Sequence, residues 1–455
     1  MTKFEKIVAL AKRRGFVYPS SEIYGGLGNV YDYGPLGVEM LKNMRNLWWD
    51  KFVRRRPDMV GIESQIFMHP TVWVASGHAK GFSDPMVEDT KNNKRWRADH
   101  LVEEHSKNVL KQDIDTDLMS TEQLNDYIKE HKVKSPDGNP LGEVRQFNLM
   151  FQTELGATDG NKMDLYLRAE TAQGMYVLFN NVIDSSRVQI PFGIAQHGKA
   201  FRNEVTKGKF IFRTIEFEQM EIQFFIKPPQ TDEDWKQVWD AWAKELESWY
   251  VDVMGISKEN LKWKPHSKLV FYAKAASDVQ YKFDWGFDEV SGLHYRTDYD
   301  LSTHIKHSGK DMSYRDPQTN EVYVPHVMES TWGLNRNLLM LLDNAYTEDG
   351  DRVVLKFNKN VAPYQVAVFP LVKNKPEVVG KAKEVFEMLI DKGLRVAWDE
   401  RGNVGKRYYA QDEIGTPKCI TIDYQTLEDG TVTVRDRDTM EQERVNINLI
   451  EGYPF

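Results

Sequence analysis

The chain has almost no cysteine: Cys419 is alone, which excludes an internal disulfide framework and any zinc site built from cysteines. Long apolar runs are missing as well. No stretch approaches the roughly 18 consecutive apolar residues that cross a bilayer, and the opening MTKFEKIVALAKRRG lacks the separate apolar core and small-residue cleavage site of a secretory signal. There is no excess of positive charge. A formal net charge of -8 excludes non-specific coating of nucleic acid through counterion release, so a nucleic-acid partner must be met by local patches. These absences together place the chain in a reducing compartment, with cytoplasm as the expectation and no membrane partner. Internal repeats and low-complexity tracts are absent too.

What is present is a globular composition: 41% hydrophobic and 28% charged residues over 455 positions, too many for one ordinary core. Two or three domains are expected. Residues 3 to 14 read as an amphipathic helix stopped by Gly15. After a Gly- and Tyr-rich segment, Leu36, Met40, Leu41, Met44, Leu47, Trp48 and Phe52 recur at three- and four-residue steps, a long apolar stripe that ends in Arg54-Arg55-Arg56. Such a stripe packs into a core or covers a subunit interface. From 86 to 145 the chain turns polar, with a capping-box start at Ser120 to Gln123 and a turn-rich KSPDGNPLG tail, the pattern of an insertion. A helix is expected near Thr171 to Ile183, and a Trp-striped helix (Trp235, Trp239, Trp242, Trp249) reads as packing. Beyond Lys356, strands and helices alternate as in a small α/β domain.

The segment from Lys199 to Phe225 carries the densest chemistry. Its two runs, rich in Phe, Ile, Val and Thr, flank the polar turn Thr206-Lys207-Gly208-Lys209 and predict a hairpin in which 213, 215, 217, 219 and 221 share one face. That face would carry a cation (Arg213), an aromatic ring (Phe217), an amide (Gln219) and a carboxylate (Glu221), suited to phosphate, a base and an ammonium group. Glu170, Glu289 and Glu329 also end apolar or β-like runs, where they can converge. Four such carboxylates in one cleft require a cation in the design. Gly193 to Ala200 nearly matches a P-loop, but Ala200 has no hydroxyl for magnesium and a strand pattern follows where a helix should begin. His100 and His105, like His304 and His307, lack metal-ligand context, and Cys419 reads as an inert core thiol.

FRNE, FRTIEFEQME and GLNR, together with YGGLGNVYDYGPLG, LRAETAQG, RTDYDLSTH and the tail from DEIGTP to TVTVRDRDT, resemble the dimeric glycyl-tRNA synthetases, which are class II enzymes. The resemblance covers nearly the whole chain. It implies an α+β fold, with a class II antiparallel sheet flanked by helices over 1–85 and 146–357, an insertion at 86–145, and an α/β anticodon-binding domain at 361–455. It also favours the homodimer interface over core packing for the stripe after Pro35. The activity implied is glycine–tRNA ligase, with glycine, ATP and tRNA(Gly) as partners and Mg²⁺ as the metal; no zinc is expected, because the chain lacks the cysteines for it.

Residue by residue, the resemblance implies that Arg202 holds the α-phosphate of ATP, Glu204 the adenine amino group, Arg213 the β- and γ-phosphates and Arg336 the γ-phosphate. Phe217 stacks on the base, and Asn203, Phe212 and Gly333 complete the nucleotide site. Arg202 and Arg336 are the catalytic cations, and Glu289 with Val290 marks the ATP and magnesium position. Arg97, Glu170, Phe217, Gln219, Glu221, Glu329 and Thr331 form the glycine pocket. Some positions depart from the family pattern: Thr331 stands for serine, Trp332 for a smaller residue, Ile215 for arginine, Asn335 for an acid. Ser135-Pro136-Asp137-Gly138 replaces a Cys-Pro-x-Cys knuckle. A non-catalytic relative that binds nucleic acid and a class II synthetase for another amino acid are the competing readings. Candidate tRNA-backbone contacts are Arg54 to Arg56, Lys207 with Lys209, and Arg401 with Lys406 and Arg407.

Overall fold

Pro35 opens a helix without needing a backbone partner for its missing N–H, and the apolar spacing that follows carries helix α2 from Pro35 to Trp49 (after α1, Lys3–Arg14). A π-turn, Asp50–Arg54, prolongs it and keeps Phe52 beneath Trp48. Met40, Met44, Trp48 and Phe52 have no exposed surface and sit in the largest core of this same chain. The stripe is therefore internal packing, which corrects the expectation of a subunit interface: a partner would have to meet other residues of α2. The computed structural model describes the chain except residues 117–118, 157–161, 205–207, 268 and 270–272.

α2 lies under a seven-stranded sheet made of β1 (Met59–Gly61), β2 (Phe192–Phe201), β3 (Glu216–Ile226), β4 (Leu261–Pro265), β5 (Ala275–Phe283), β6 (Gly286–Thr297) and β7 (His326–Gly333), in the order β4-β5-β6-β7-β3-β2-β1. All neighbours are antiparallel except β1 and β2. The Trp-striped helix α3 (Asp232–Ser248) and the apolar α4 (Leu334–Ala345) cover the core face, where Met220, Ile222, Phe224 and Trp332 alternate with residues of the opposite face. The tryptophans pack, as their spacing predicts: Trp242 and Trp249 are buried against Phe52.

The expected hairpin differs in its connection. β2 ends at Phe201 and β3 begins at Glu216, so Arg213 and Ile215 precede the strand, behind a short 3₁₀ turn at Phe210–Phe212. Aromatic side chains of that turn pack into the core, which overrides the local strand pattern. Thr206 and Lys207 lie outside the described residues. The helix expected near 171 to 183 is two short helices, Ala172–Val177 and Phe179–Ser185, broken at Leu178.

Strands Ser83–Glu88, Arg95–Arg97 and Arg145–Asn148 form a separate three-stranded sheet at both ends of the predicted insertion, whose helix Thr121–Glu130 has the capping box at Ser120. Val87, Val102, Leu124 and Ile128 give it a core of its own. Where relatives were expected to carry a cysteine knuckle, Ser135 donates to Asp89 Oδ2 (2.6 Å) and Asn139 Nδ2 donates to the same oxygen, so hydrogen bonds close the turn.

In the last third, β8 (Val366–Pro370), β9 (Val396–Trp398), β10 (Lys418–Ile422), β11 (Thr431–Asp436) and β12 (Gln442–Asn446) run in the order β9-β8-β10-β11-β12, with helix α5 (Pro376–Asp391) against them. Helix Val404–Asp412 and β12 had no clear apolar period in the sequence. Cys419 is buried, and burial pushes its thiol pKa up, as befits an inert core residue. The α/β unit is fastened to the body by buried Asp412, which accepts from Arg352 (3.0 Å) and from Arg435 (2.8 and 2.9 Å). Among the described residues, no helix is long and apolar enough to cross a membrane.

Candidate active site

On the face of the sheet away from α2, strand pairing aligns Gln196, Glu221, Thr331, Gly292 and Asp278 in one row across β2, β3, β7, β6 and β5. The next row aligns Gln223, Glu329, His294 and Ala276. Period-two alternation therefore brings carboxylates from β3 and β7 to the floor of one cleft. Its cavity, about 220 Å³, is lined by Glu170, Glu221, Glu329, Arg296, His294 and Thr331 at one end and by Arg202, Glu204, Arg213, Phe217, Glu289 and Arg336 at the other.

At the carboxylate end, two of the three glutamates have nitrogen partners at ion-pair distance. Glu170 lies 3.3 Å from His78 Nε2 and accepts from Gln173 (2.9 Å), while Ser76 Oγ sits 2.8 Å from the other nitrogen of His78. Glu329 accepts from Arg296 (2.9 Å) and Gln223 (2.8 Å) and lies 2.9 Å from His294 Nδ1. Arg296 is itself clamped by two bonds to Asp300, at 2.8 and 3.0 Å. Burial pushes the pKa of both glutamates up, but His78 for Glu170 and Arg296 with His294 for Glu329 outweigh it, and both stay below the usual carboxylate range.

Glu221 is the exception. It has the Thr171 hydroxyl and Gln223 as donors, and burial, reinforced by the negative charges of Glu329 and Glu170, raises its pKa well above the ordinary value. Among the described residues Glu221 has no salt-bridge partner, so a cationic group in the cleft would be complementary to it.

The other end gathers arginines against aromatic faces. Arg202 stacks between Phe82 (5.1 Å) and Phe217 (5.2 Å) and donates to the Ala169 carbonyl. Arg336 lies over Phe212 (4.6 Å), donates to its carbonyl, and pairs with Glu289 (2.8 Å). Arg213 reaches in from the loop and donates to Glu204 (3.1 Å). Three guanidinium groups around one cleft suit a polyphosphate, because a guanidinium fork matches phosphate oxygens bidentately. Desolvation beside the cleft pushes the pKa of Glu289 up, but Arg336 outweighs it and lowers it, so this partly exposed carboxylate is ionised near neutrality. An ionised oxygen donor at the phosphate end fits a hard divalent cation.

Of the residues expected at the site, Glu170, Arg202, Glu204, Phe212, Arg213, Phe217, Gln219, Glu221, Glu289, Glu329, Thr331, Gly333 and Arg336 all line this cavity. Three do not. Arg97 is held by Asp84 (2.9 Å) and Asp99, and the cation among the carboxylates is Arg296 instead. Val290 is buried in the core and meets Asn337 through its carbonyl. Asn203 contributes a backbone bond to Leu149.

Sequence reasoning missed Arg296, Asp300, His294, His78 and Gln173. The Arg296–Asp300 spacing of four, at the strand-to-helix junction of RTDYD, was the available signal.

The departures read differently in three dimensions. Trp332 faces the core against Phe52 (4.9 Å), so its bulk stays out of the cleft. Ile215 meets its neighbours through the backbone, donating to Asn29 and accepting from Arg202. Asn335 accepts from Glu218 N–H (2.8 Å) and bonds to Tyr33, leaving Arg336 fixed by Phe212 and Glu289. The P-loop-like run lies within β2, as its strand pattern predicts. His304 and His105 bond to Gln173 and Tyr127. Arg407 is buried and ties down the Pro370 and Gly402 carbonyls, which removes it from the candidate tRNA contacts.

A family model described as tRNA synthetase class II core domain (G, H, P, S and T) matches residues 151–345, and one described as anticodon binding domain matches 365–453. A protein named glycine--tRNA ligase from Chlorobaculum tepidum is 49% identical over 463 aligned positions, covering 97% of each chain. One of the same name from Clostridium acetobutylicum is 49% identical, covering 99% of this chain and 97% of its own. A crystal structure of prolyl-tRNA synthetase from Cryptosporidium parvum, complexed with L-proline and AMP, superposes with a TM-score of 0.61 over 98% of this chain and 73% of that one, at 14% identity. That last likeness is one of fold.

Proposed function

The chain belongs to the glycine–tRNA ligase family of class II synthetases, and from that premise we propose how its cleft joins glycine to tRNA(Gly) at the expense of ATP. The observation that carries the assignment of the substrate ends is the unbalanced charge at Glu221, beside paired Glu170 and Glu329 and opposite the arginine-lined end. The ammonium of glycine sits among the three glutamates. Its carboxylate points toward the arginines, where it attacks the α-phosphorus of ATP and displaces pyrophosphate. The terminal ribose hydroxyl of tRNA then takes the glycyl group from the adenylate and AMP leaves.

No protein nucleophile enters either step. Arg202 offsets charge on the transferring phosphoryl group, Arg213 and Arg336 hold the tail of the nucleotide, and Phe217 stacks on the base with Glu204 at its amino group. Preorganised charge of this kind acts strongly in a site shielded from water. Binding ATP requires Arg213 to leave Glu204 and Arg336 to share Glu289, so both guanidinium groups exchange one anion for another. Glu289 is the residue to hold Mg²⁺; the ion supplies charge neutralisation on the phosphates when bound.

Selectivity is steric. Attraction cannot favour a substrate that has no side chain, so the walls must exclude larger ones. Thr331 projects from the middle of the floor row, flanked by Glu221 and Gly292, and there limits the space above the α-carbon.

The homodimer is part of this reading, with exposed Ile23 (88%), Tyr24 (87%) and Leu27 (63%) as an apolar surface suited to a second copy. So is a cytoplasmic location. The α/β unit from 365 takes the anticodon. Amino-acid-dependent exchange of labelled pyrophosphate into ATP, with glycine, alanine and serine in parallel and no tRNA, tests the reading. Exchange with glycine alone supports it. Equal exchange with alanine refutes the steric pocket, and no exchange from folded protein moves the assignment to a non-catalytic nucleic-acid-binding relative.

A further inference from the structure

We propose that His266, Asp278 and His294 form a binding site for one divalent transition-metal ion of the zinc class, next to the glycine pocket and separate from the magnesium position. One donor atom from each of the three residues lies within 4.8 Å of the others, and all three side chains are half-buried. Strand pairing builds the cluster. His266, just beyond β4, donates its backbone N–H to Ala276 of β5 (3.0 Å), and Ala276 is paired with His294 of β6. The two imidazoles thus flank the small side chain of an alanine and approach each other edge to face, with ring centroids 5.8 Å apart. Asp278 follows Ala276 by two positions, so it projects from the same face.

The row containing Asp278 is opened by a missing side chain. Its cross-strand partner is Gly292, where a Cβ would come within 2.8 Å of His294 Cε1 and 3.5 Å of His294 Nε2. Nε2 of His294 therefore occupies the room left by the missing side chain, toward Asp278, while its Nδ1 lies 2.9 Å from Glu329. His266 Nε2 already sits 2.8 Å from Asp278 Oδ1. Tetrahedral donors about 2.0–2.1 Å from a zinc ion lie roughly 3.4 Å apart, so the widest pair in the cluster, within 4.8 Å, closes on the ion by side-chain turns of up to about 1.4 Å.

Donor chemistry selects the ion. Two imidazoles and one carboxylate suit zinc, cobalt or nickel, whereas magnesium takes oxygen donors. Three protein donors leave a fourth position for water, as in open zinc sites. The expectation of no zinc followed from the lack of cysteines and does not reach an imidazole-based site. Loading Nε2 of His294 would fix the proton on Nδ1, facing Glu329, so the ion would set the orientation of a carboxylate in the glycine pocket.

Metal binding stands or falls independently of the ligase reading, because the test reads the metal itself. The full-length protein, stripped with EDTA, is titrated with Zn²⁺ against a chromophoric chelator, beside His266→Ala and Asp278→Asn; neither residue lines the glycine and ATP cavity. The parent should bind one equivalent, and each variant at least about 10-fold more weakly, the lower end of what loss even of an outer partner costs. Either variant retaining the parent's affinity, or a parent that binds no more tightly than both variants, overturns the proposal. Should a variant fail to fold, Co²⁺ added to the parent decides: intense visible bands of four-coordinate cobalt support the site, and only the weak bands of hydrated ion refute it.

Discussion

Replacing Glu221 by Gln removes one charge from the glycine pocket while keeping its shape, and the structure gives opposite signs for function and stability. In the empty pocket Glu221 has a raised pKa because it is buried and faces Glu329 and Glu170, so Gln mimics its protonated form. With glycine bound, the ionised carboxylate meets an ammonium group. Losing a charged hydrogen bond of this kind is worth about 1.5–3 kcal/mol, and more when a buried charge is left without its partner. Taking about 3 kcal/mol, kcat/KM for glycine in pyrophosphate exchange should fall about 150-fold, with KM for ATP little changed.

Stability should move the other way. An unfolded glutamate releases its proton near pH 4.3, whereas folded Glu221 holds it to higher pH. Between those two pKa values the native state binds more protons than the unfolded state, so the parent loses about 1.4 kcal/mol per pH unit as pH rises. The Gln variant has no such loss. Its urea midpoint relative to the parent should therefore rise from pH 4 upward and level off above the folded pKa of Glu221. A variant that activates glycine within threefold of the parent, or whose midpoint falls relative to the parent with rising pH, refutes the reasoning.

Arg202→Ala should lower pyrophosphate exchange by at least about 100-fold, as loss of one charge-stabilising donor does, with an unchanged urea midpoint; activity within a factor of three of the parent sinks the role. Arg296→Lys cannot keep both bonds to Asp300 while reaching Glu329, and a rise of about 10-fold or more in KM for glycine is expected from one lost charge-assisted bond. Phe52→Ala, in the aromatic cluster beneath the sheet, should cost about 3–5 kcal/mol in urea unfolding; a loss below 1 kcal/mol would mean that the cluster repacks. Asp412→Ala leaves Arg352 and Arg435 buried without their shared acceptor. Breaking a buried pair costs about 3–5 kcal/mol, and limited proteolysis should then release the α/β unit before the body unfolds.

The parts legible in the sequence were those with a strong local period. The 3.6-residue stripe of α2, the alternation along β3 from Phe217 to Glu221, and the strand-helix succession after Lys356 all appear where the patterns predict them. What misled was the surroundings of a pattern. A strip of Met, Trp and Phe looks the same whether its own sheet or a second subunit covers it, and only the position of the sheet decides for Met40, Met44, Trp48 and Phe52. Arg213 sits in a strand-like run, but Phe210, Ile211 and Phe212 are drawn into the core and bend the chain before it. Arg296 stayed hidden because its role rests on contacts with Asp300 on the following helix and with Glu329, 33 residues away on another strand.

The electrostatics of the floor distinguishes a ligand site from a structural ion network in this fold. Asp412 is as buried as Glu221, yet two arginines answer it, and Arg296 answers buried Asp300 with two hydrogen bonds. Such groups explain themselves as fastenings. Glu221 is surrounded by donors too weak to offset its charge and by two like charges, which costs stability at neutral pH and has no packing rationale. A protein that only needed the fold could place Gln or Leu there and be more stable. The cost is recovered when a cation of the right size enters, and the arginines at the other end of the same cavity require that cation to carry, or to lie beside, something negatively charged. An amino acid with its carboxylate aimed at a nucleotide phosphate meets both conditions at once, whereas an inorganic cation meets only the first.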